Sequence, residues 1–394
     1  MATATATLVP FPATAGPEAA AAPAKFSANR KELLRELALA QTVREAKTTI
    51  PILSCLLIQV EVNQLTILAT DLDQSIRTIC PVTKAAPGTI TVPGKKAFDY
   101  LKLLEGDEIS FAALENNWTQ VRCGRSKTKI VGMEPKNYPK IPEFPAKTVA
   151  RVPVVTLKAL IGRVQFAIAN QESRYTLNGA LLTISPDSVS MVATDGFRLS
   201  YAKSNEMIAE LSSSKNYLVS MAGLKTLSFL LANTEEEFVD FACEDNNLFF
   251  RIGSRVLTVR RMTGQFPGYQ QIMPQSASKK IDVSVKELGA AIQRVAQFAD
   301  EKSSVIRFSL AENTLRISSS STESGESEEV LPITYAGESL TVGINALFAL
   351  DPLKVLGTAE VRLEMNGPTN VVEFRPVTED NSIEYRGLVM PART

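Results

Sequence analysis

One pattern recurs three times along this chain, and it constrains the fold more than any other feature. Each copy opens on a short β-prone run that leads into an amphipathic stretch: 25–43 (KFSANRKELLRELALAQTV), 152–169 (VPVVTLKALIGRVQFAIA) and 282–299 (DVSVKELGAAIQRVAQFA). In the first, Leu33, Leu34, Leu37 and Ala38, then Ala40 and Gln41, fall at helical spacing, which predicts one buried face. Ser27 or Asn29 is a candidate cap for that helix, as Thr156 and Ser284 are in the other copies. Two β-prone runs follow around a short polar turn, the signature of a hairpin: 52–62 with 64–70, 179–185 with 188–194, and 304–310 with 314–320. A strand leading into a second helix comes next, at 89–104, 217–231 and 340–356. Two or three further strands close each copy, at 108–132, 237–262 and 359–390.

The repeating unit is therefore read as β-α-β-β-β-α-β-β-β, about 120–130 residues long. Three tandem copies give an α+β chain in which each domain packs two helices on antiparallel sheets. The domains are placed at 25–146, 147–276 and 277–394, because Pro, Lys and Ser cluster near 143–151 and 274–281 as they do in linkers. The first two copies end in matching Tyr-containing loops, KNYPKIPE at 136–143 and GQFPGYQQIMP at 264–274. The polar, acidic stretch 319–329 (SSSTESGESEE) reads as an exposed loop. Residues 1–24 are mostly Ala, Thr and Pro, with Glu18 as the only charge. They lack the basic start and long apolar core of a signal peptide, and no arginine precedes Arg30 as a transit peptide would require. They read as a disordered extension outside the fold.

Composition narrows the chemistry. Histidine is absent, which excludes imidazole-based triads, Cys-His dyads and His-ligated zinc. Cys55, Cys80, Cys123 and Cys243 are far apart and read as buried thiols of a reducing compartment, not as a disulfide framework or zinc site. No apolar run reaches the ~18 residues that would span a bilayer. The 42 basic and 42 acidic side chains cancel, which argues against coating nucleic acid by bulk positive charge. The balance hides an asymmetry. The six helix windows 27–44, 94–104, 156–169, 221–233, 284–299 and 345–356 carry +2, +2, +2, +1, +1 and 0, so the helices hold +8 and everything else −8. Solvated helix faces would account for this, and so would helices that share a surface facing phosphates. On charge alone, Arg30, Arg35, Lys95, Lys102, Lys158 and Arg163 are the candidates for phosphate contact.

Four strings in chain order, set within the threefold repeat, carry a resemblance: ATDLDQSIR at 69–77, ATDGFRLSYA at 193–202, FPGYQQIMP at 266–274 and GLVMPART at 387–394. From about residue 25 to the end, the chain resembles the bacterial DNA sliding clamp family, the beta subunit of the replicative DNA polymerase III. The resemblance implies two three-domain protomers joined head to tail as a ring, helices lining the hole and antiparallel sheets outside. Such a ring encircles double-stranded DNA without reading sequence and is loaded by a clamp-loader ATPase complex. It tethers the DNA polymerase catalytic subunit, repair polymerases and ligase- or mismatch-repair-type proteins through a peptide-binding cleft. The implied setting is the bacterial cytoplasm, associated with the nucleoid, with no membrane contact. No catalytic site, cofactor or metal is implied. A weak basic lining fits sliding, because each neutralised phosphate adds salt-dependent grip.

By position, the resemblance makes Lys47, Gln171, Arg174 and Tyr175 DNA contacts, with Thr176 standing where a second tyrosine can occur. It places the cleft at Leu177, Thr194, Gly196, Arg198, Leu199, Pro267 and Ile272 of the second domain and at Asn345, Phe348, Val389, Met390 and Pro391 of the third. Apolar walls would bury one or two anchors of a short peptide, with Asn345 and Arg198 orienting its backbone. Phe197, Gln271, Ala392 and Thr394 depart from better-known members, which bears on the motif preferred. At the subunit interface, Thr128 and Ile130 would meet Gln297 and Phe298 of a second copy, with Lys127 and Lys129 facing Asp300 and Glu301.

Two other function classes compete. An enzyme could use Asp71 and Asp73 with Asp195 as carboxylates, but Asp71 and Asp195 occupy equivalent places in two repeats, as a turn residue would. The chain also has no Walker-type phosphate loop and no nucleophile elbow. A repeat-built scaffold that binds proteins without enclosing DNA would share the fold but would not need the charge bias of the helices.

Overall fold

The computed structural model describes residues 23–43, 49–170, 172–205, 211, 213–322, 325–380 and 382–392, without the side chains of 172–174. The extension before residue 23, Lys47 and Gln171 lie outside the described residues. The chain forms two compact units, 1–141 and 142–394.

In the first unit, helices α1 (Arg30–Gln41) and α2 (Gly94–Lys102) pack on each other. The strand Lys25–Asn29 lies between Thr83–Ala86 and Glu108–Ala113; Trp118–Cys123 and Ser126–Val131 follow outward, so Ser126–Val131 is an edge. A second antiparallel run orders Gln74–Pro81, Gln64–Thr70, Cys55–Val60 and Gly88–Pro93. Asn29 starts α1, its side-chain oxygen accepting from the Lys31 and Glu32 amides, which satisfies two otherwise orphaned donors. The buried face is Leu33, Glu36, Leu37, Leu39 and Ala40, turned slightly from the predicted one, with Leu34, Ala38 and Gln41 only half-buried. Glu36 is tolerated inside because its carboxylate accepts from Arg35 Nε at 2.9 Å and from the Thr78 hydroxyl.

In the second unit, α3 (Val154–Val164) packs on α4 (Met221–Ala232), and α5 (Val285–Ala296) on α6 (Ala346–Val355). One sheet of eight strands crosses both repeats: Lys215–Ser220, Gly179–Ser185, Ser188–Thr194, Arg198–Ser204, Ile383–Val389, Val372–Pro376, Glu360–Met365 and Lys279–Ser284. Its middle is the antiparallel ladder from Arg198↔Val389 to Ser204↔Ile383. Ala150–Pro153, Phe238–Glu244, Asn247–Ile252 and Arg255–Arg260 pair in that order. Gly325–Pro332, Thr314–Ser321, Val305–Ala311 and Leu340–Asn345 form a four-stranded sheet with Gly325–Pro332 at its edge. Ser284 caps α5 through the Glu287 amide. Thr156 does not cap α3: Pro153 precedes that helix and Thr156 is buried inside its first turn.

The repeat contains one strand more than the sequence pattern predicts between its two helices. Gln74–Pro81, Arg198–Ser204 and Gly325–Pro332 are these third strands, and the first copy adds the short Thr83–Ala86. They escape a hydrophobicity reading for a physical reason. The first two bury polar residues, Gln74, Ser75 and Thr78 in one and Ser200 and Ser204 in the other. The third is an edge strand whose outer side is acidic, so the stretch 319–329 is not a loop. Residues on both sides of its turn are paired, from Thr314↔Pro332 to Ser321↔Gly325, and Ser319 is buried with its hydroxyl donating to the Val305 carbonyl at 3.2 Å.

All four cysteines are free; Cys55, Cys80 and Cys123 are buried and Cys243 half-buried. Burial, helped by the Glu36 and Glu32 carboxylates, pushes the Cys80 thiol up to about 12. Among the described residues no helix is long and apolar enough to cross a membrane. The third repeat is braced by Glu373, fully buried between Arg386, which donates to both its oxygens, and Arg375. Arg386 Nη2 also donates to the Pro274 carbonyl at 2.7 Å, tying the strand Ile383–Val389 to the stretch that enters the third repeat. Removing one member of a buried pair strands the other charge. Arg386→Met should therefore cost about 3 kcal/mol of unfolding free energy, read from urea denaturation, and R386M with Glu373→Gln should recover part of the loss.

Candidate functional site

The turn 194–198 is the structural seed of the candidate cleft, and its geometry repeats in the first unit. Asp195 Oδ1 accepts from the Phe197 and Arg198 amides at 2.9 and 3.0 Å, and Thr194 Oγ1 donates to the Arg198 carbonyl at 2.6 Å while accepting from the Gly196 amide at 3.1 Å. In the first unit Asp71 Oδ1 accepts from Asp73 and Gln74 at 3.0 and 2.7 Å, and Thr70 Oγ1 bonds Gln74 and Leu72 in the same way. Gly196 takes φ 89°, and Leu72 holds the equivalent left-handed position at φ 79°, where a glycine is the unstrained choice. Both aspartates are thus turn-forming acceptors.

From this turn Arg198 reaches across to the third repeat. Its Nε donates to Asp195 Oδ2 at 3.0 Å, Nη1 to Asp351 Oδ2, and Nη2 to the Phe166 carbonyl at 2.8 Å. The guanidinium lies over the Phe348 ring at 4.6 Å and the Phe166 ring at 5.4 Å. Phe348 stacks in turn with Phe197 at a centroid distance of 6.3 Å, and Phe197 is half exposed. Asn345 caps α6, accepting from the Leu347 and Phe348 amides at 3.0 and 3.1 Å, while its Nδ2 donates to the Ser303 carbonyl at 2.9 Å. Within the protein, Arg198 and Asn345 hold the Phe348–Phe197 aromatic pair in place, Arg198 beneath the Phe348 ring and Asn345 through the Phe348 amide.

Leu177 and Leu199 are buried in a cluster with Ala169, Val192, Leu218, Met262, Phe266 and Leu388, flanked by Tyr201, Tyr269 and Met273. Pro267 and Ile272 are exposed on the loop 263–274. Val389 is fully buried in the ladder and so presents no side chain to a ligand. Met390 and Pro391 are half-buried, with the Met390 amide donating to the Phe197 carbonyl at 2.8 Å and the Ala392 amide to the Gly343 carbonyl at 2.7 Å. A cavity of about 500 Å³ lies beside this cluster, lined by Leu181, Asn216, Leu218, Arg261, Met262 and the loop 263–270; of the predicted cleft residues only Pro267 touches it. Asp351 and Phe166 were not foreseen. Asp351 is 153 positions from Arg198, and no local pattern announces the contact.

The predicted DNA contacts divide. Lys95, Lys102 and Lys158 are exposed on their helices; Lys95 pairs with Asp99, and Lys102 lies 4.3 Å over the Phe98 ring. Arg35 is exposed and bonds Glu36, and Tyr175 is 56% exposed. Arg30 is half-buried. Arg174 lies in the turn Glu172–Leu177 with its side chain outside the described set. Arg163 is half-buried, and burial pushes its guanidinium below the usual arginine value, with Tyr385 and Asp380 of the third repeat acting against that shift. The observed helices keep the charge bias, +1, +2, +2, +1, +1 and 0 from α1 to α6. At the expected interface, Gln297 and Phe298 are exposed, whereas Ile130 is buried and Thr128 half-buried on the inward side of their strand. Lys127, Lys129 and Val131 face out instead.

Comparison with known proteins places this geometry. The N-terminal, central and C-terminal domains of the DNA polymerase III beta subunit match residues 24–142, 151–268 and 270–393. The chain is 32% identical over 372 residues to the beta sliding clamp of Vibrio cholerae, covering 94% of this chain and 100% of that one. It is 30% identical over 371 residues to the beta sliding clamp of Escherichia coli, with the same coverage. Among solved structures, the DNA polymerase III subunit beta from Pseudomonas aeruginosa is similar with a TM-score of 0.87 at 30% identity, over 94% of this chain and 100% of that chain. A sliding clamp from the same organism bound to griselimycin gives 0.88 at 30% identity, over 95% and 100%. The fold and the three domain matches together define a chain of the DNA polymerase III beta type. The chain belongs to the beta sliding clamp family, non-catalytic processivity factors of DNA replication.

Because Asn345 both caps α6 and holds the Ser303 carbonyl, Asn345→Ala should cost about 1–2 kcal/mol in urea unfolding. Asn345→Asp, which still caps, should lose clearly less.

Proposed function

We propose that two copies of this chain join head to tail in a ring that surrounds duplex DNA and holds a DNA polymerase on it through the cleft built on the 194–198 turn. The domains at 25–146, 147–276 and 277–394 are its building blocks. The observation that carries the reading is a pair of edge strands of opposite charge. Ser126–Val131 ends its sheet with Lys127 and Lys129 outward, and Gly325–Pro332 ends its own with Glu326 and Glu328 exposed. An exposed edge is a template for a further strand, and opposite charge fixes partner and register. The acidic residues that meet Lys127 and Lys129 are then those of 325–332, joining Asp300 and Glu301, with Phe298 beside them and the Thr128–Ile130 face sealed inward.

In the ring the helices face the DNA. Lys95, Lys102, Lys158 and Arg35, together with Lys47, Gln171, Arg174 and Tyr175, contact backbone rather than base edges, so grip is weak and independent of sequence. A clamp-loader ATPase opens the ring, and repair polymerases and ligase- or mismatch-repair-type proteins share the cleft in a bacterial cytoplasm, at the nucleoid. The aromatic pair Phe197–Phe348, the buried floor of Leu177 and Leu199, and the Met390–Pro391 wall suit a short peptide with one or two apolar anchors.

Two measurements test this. After loading onto nicked circular plasmid, the protein should be retained through high-salt filtration and released when the plasmid is linearised; equal retention on both forms would overturn enclosure. Reversing Lys95, Lys102 and Lys158 together should shorten retention on the circle and flatten its salt dependence while leaving the dimer intact. A fluorescent Gln-x-x-Leu-Phe-type peptide should bind the full chain about tenfold more tightly, about 1.4 kcal/mol, than a chain ending at Val389; equal binding would remove the C-terminal wall from the site.

A further inference from the structure

The first unit carries an apolar groove whose aromatic and aliphatic lining the ring reading does not use; of that lining only Lys129 also belongs to the charged edge. The groove is a cavity of about 620 Å³ lined by Pro23, Ala113, Leu114, Glu115, Trp118 and Lys129. Trp118 is 42% exposed and Leu114 38%, and Val131, 50% exposed, stands directly opposite Trp118 across the strand pair. Adjoining exposed apolar side chains of this size usually have a partner. The groove is built rather than incidental. Asn116 and Asn117 both take left-handed φ, 57° and 61°, the geometry of a tight hairpin turn. The Leu114 amide donates to the Trp118 carbonyl at 2.7 Å, so the two apolar residues sit at the mouth of that hairpin.

The chain itself leads into this groove. The Ala113 amide donates to the Ala24 carbonyl at 2.8 Å, so the backbone ahead of the strand Lys25–Asn29 runs on beside Leu114, with Pro23 already part of the lining. The 22 residues before Pro23 are rich in Ala, Thr and Pro. Apart from Met1, their only large apolar side chains are Leu8, Val9 and Phe11, set among Pro10 and Pro12, and their only charged side chain is Glu18. Proline-rich segments dock in aromatic-lined grooves because their extended form is ordered at little entropic cost. Glu18 is five residues from Pro23, a reach of roughly 15 Å in that form, and Lys129 lines the same cavity. Gly16-Pro17 is a turn dipeptide that lets the residues before it double back.

From the groove's lining, its one lysine and the chain that enters it, we infer that the N-terminal extension is an intramolecular ligand: the 8–12 segment (LVPFP) covers Trp118 and Leu114, and Glu18 pairs with Lys129. The occupant is the chain's own extension, and the site is distinct from the cleft of the second unit. Because Lys129 and Val131 belong to the edge strand Ser126–Val131, the docked segment borders the surface used for strand pairing.

Trp118 is the only tryptophan in the chain, so its fluorescence reports on the groove directly. Emission maximum and acrylamide quenching would be compared for the full chain, a chain lacking residues 2–22, Phe11→Ala and Glu18→Lys, each over a concentration series with the association state followed by sedimentation. Removal of the segment should shift emission to the red and raise the quenching constant. F11A and E18K should each move part of the way, and Lys129→Glu added to E18K should restore protection. Both tail substitutions precede the first described strand, Lys25–Asn29, and a urea unfolding curve run on each chain separates a change at the groove from a loss of folding. Identical emission and quenching in all the chains would overturn the inference. So would quenching that falls with protein concentration regardless of the extension, since a second copy would then be the occupant.

Discussion

The backbone ladder between Arg198–Ser204 and Ile383–Val389 is the interaction on which the second unit depends. Without it the second and third repeats would each end in an unpaired edge, and an unpaired edge invites pairing with other chains. With it one eight-stranded sheet runs through both, and the residues at its upper end are brought together from positions nearly 200 apart. Leu199 and Leu388 then share one buried cluster, and the C-terminal segment is held against the 194–198 turn by the Met390 amide. Sheet continuity thus brings the candidate cleft residues Arg198, Leu199 and Val389 onto neighbouring strands.

Arg198 shows how charge is used to lock that junction. A buried or half-buried guanidinium is tolerated where its planar donors are all engaged, and here they meet two carboxylates and a carbonyl from three different elements. The same side chain supports the ring of Phe348. The partly exposed Phe197–Phe348 pair therefore rests on a polar scaffold, which fixes aromatic positions more firmly than packing alone. The third repeat uses the same device at Glu373 and Arg386.

The threefold repeat, the six helices and the hairpins were legible because apolar spacing and turn residues carry them. The third strand of each copy was not, since strands such as QSIRTICP and RLSYAKS bury hydroxyls and amides that read as surface. The acidic strand Gly325–Pro332 was hidden for a related reason: an edge strand needs only one apolar side, and here even that side is largely serine and glutamate. For the candidate site, the resemblance named the residues, and the structure shows what each does locally. Leu177 and Leu199 are core, Val389 is ladder, and Asn345 is a helix cap. Arg163 illustrates the limit of counting charges, because a window sum cannot tell an exposed cation from a half-buried one.

The buried thiols have a consequence for how the molecule meets its surroundings. Histidine, the side chain that ordinarily gains or loses a proton between about pH 5 and 8, is missing from the chain. Burial moves Cys55, Cys80 and Cys243 further from neutrality, and Tyr138, Tyr201, Tyr217 and Tyr385 as well. The groups that burial moves thus titrate further outside that range, and no imidazole titrates inside it. Ionic strength, through counterions, is the variable that loosens or tightens the protein's hold on a polyanion.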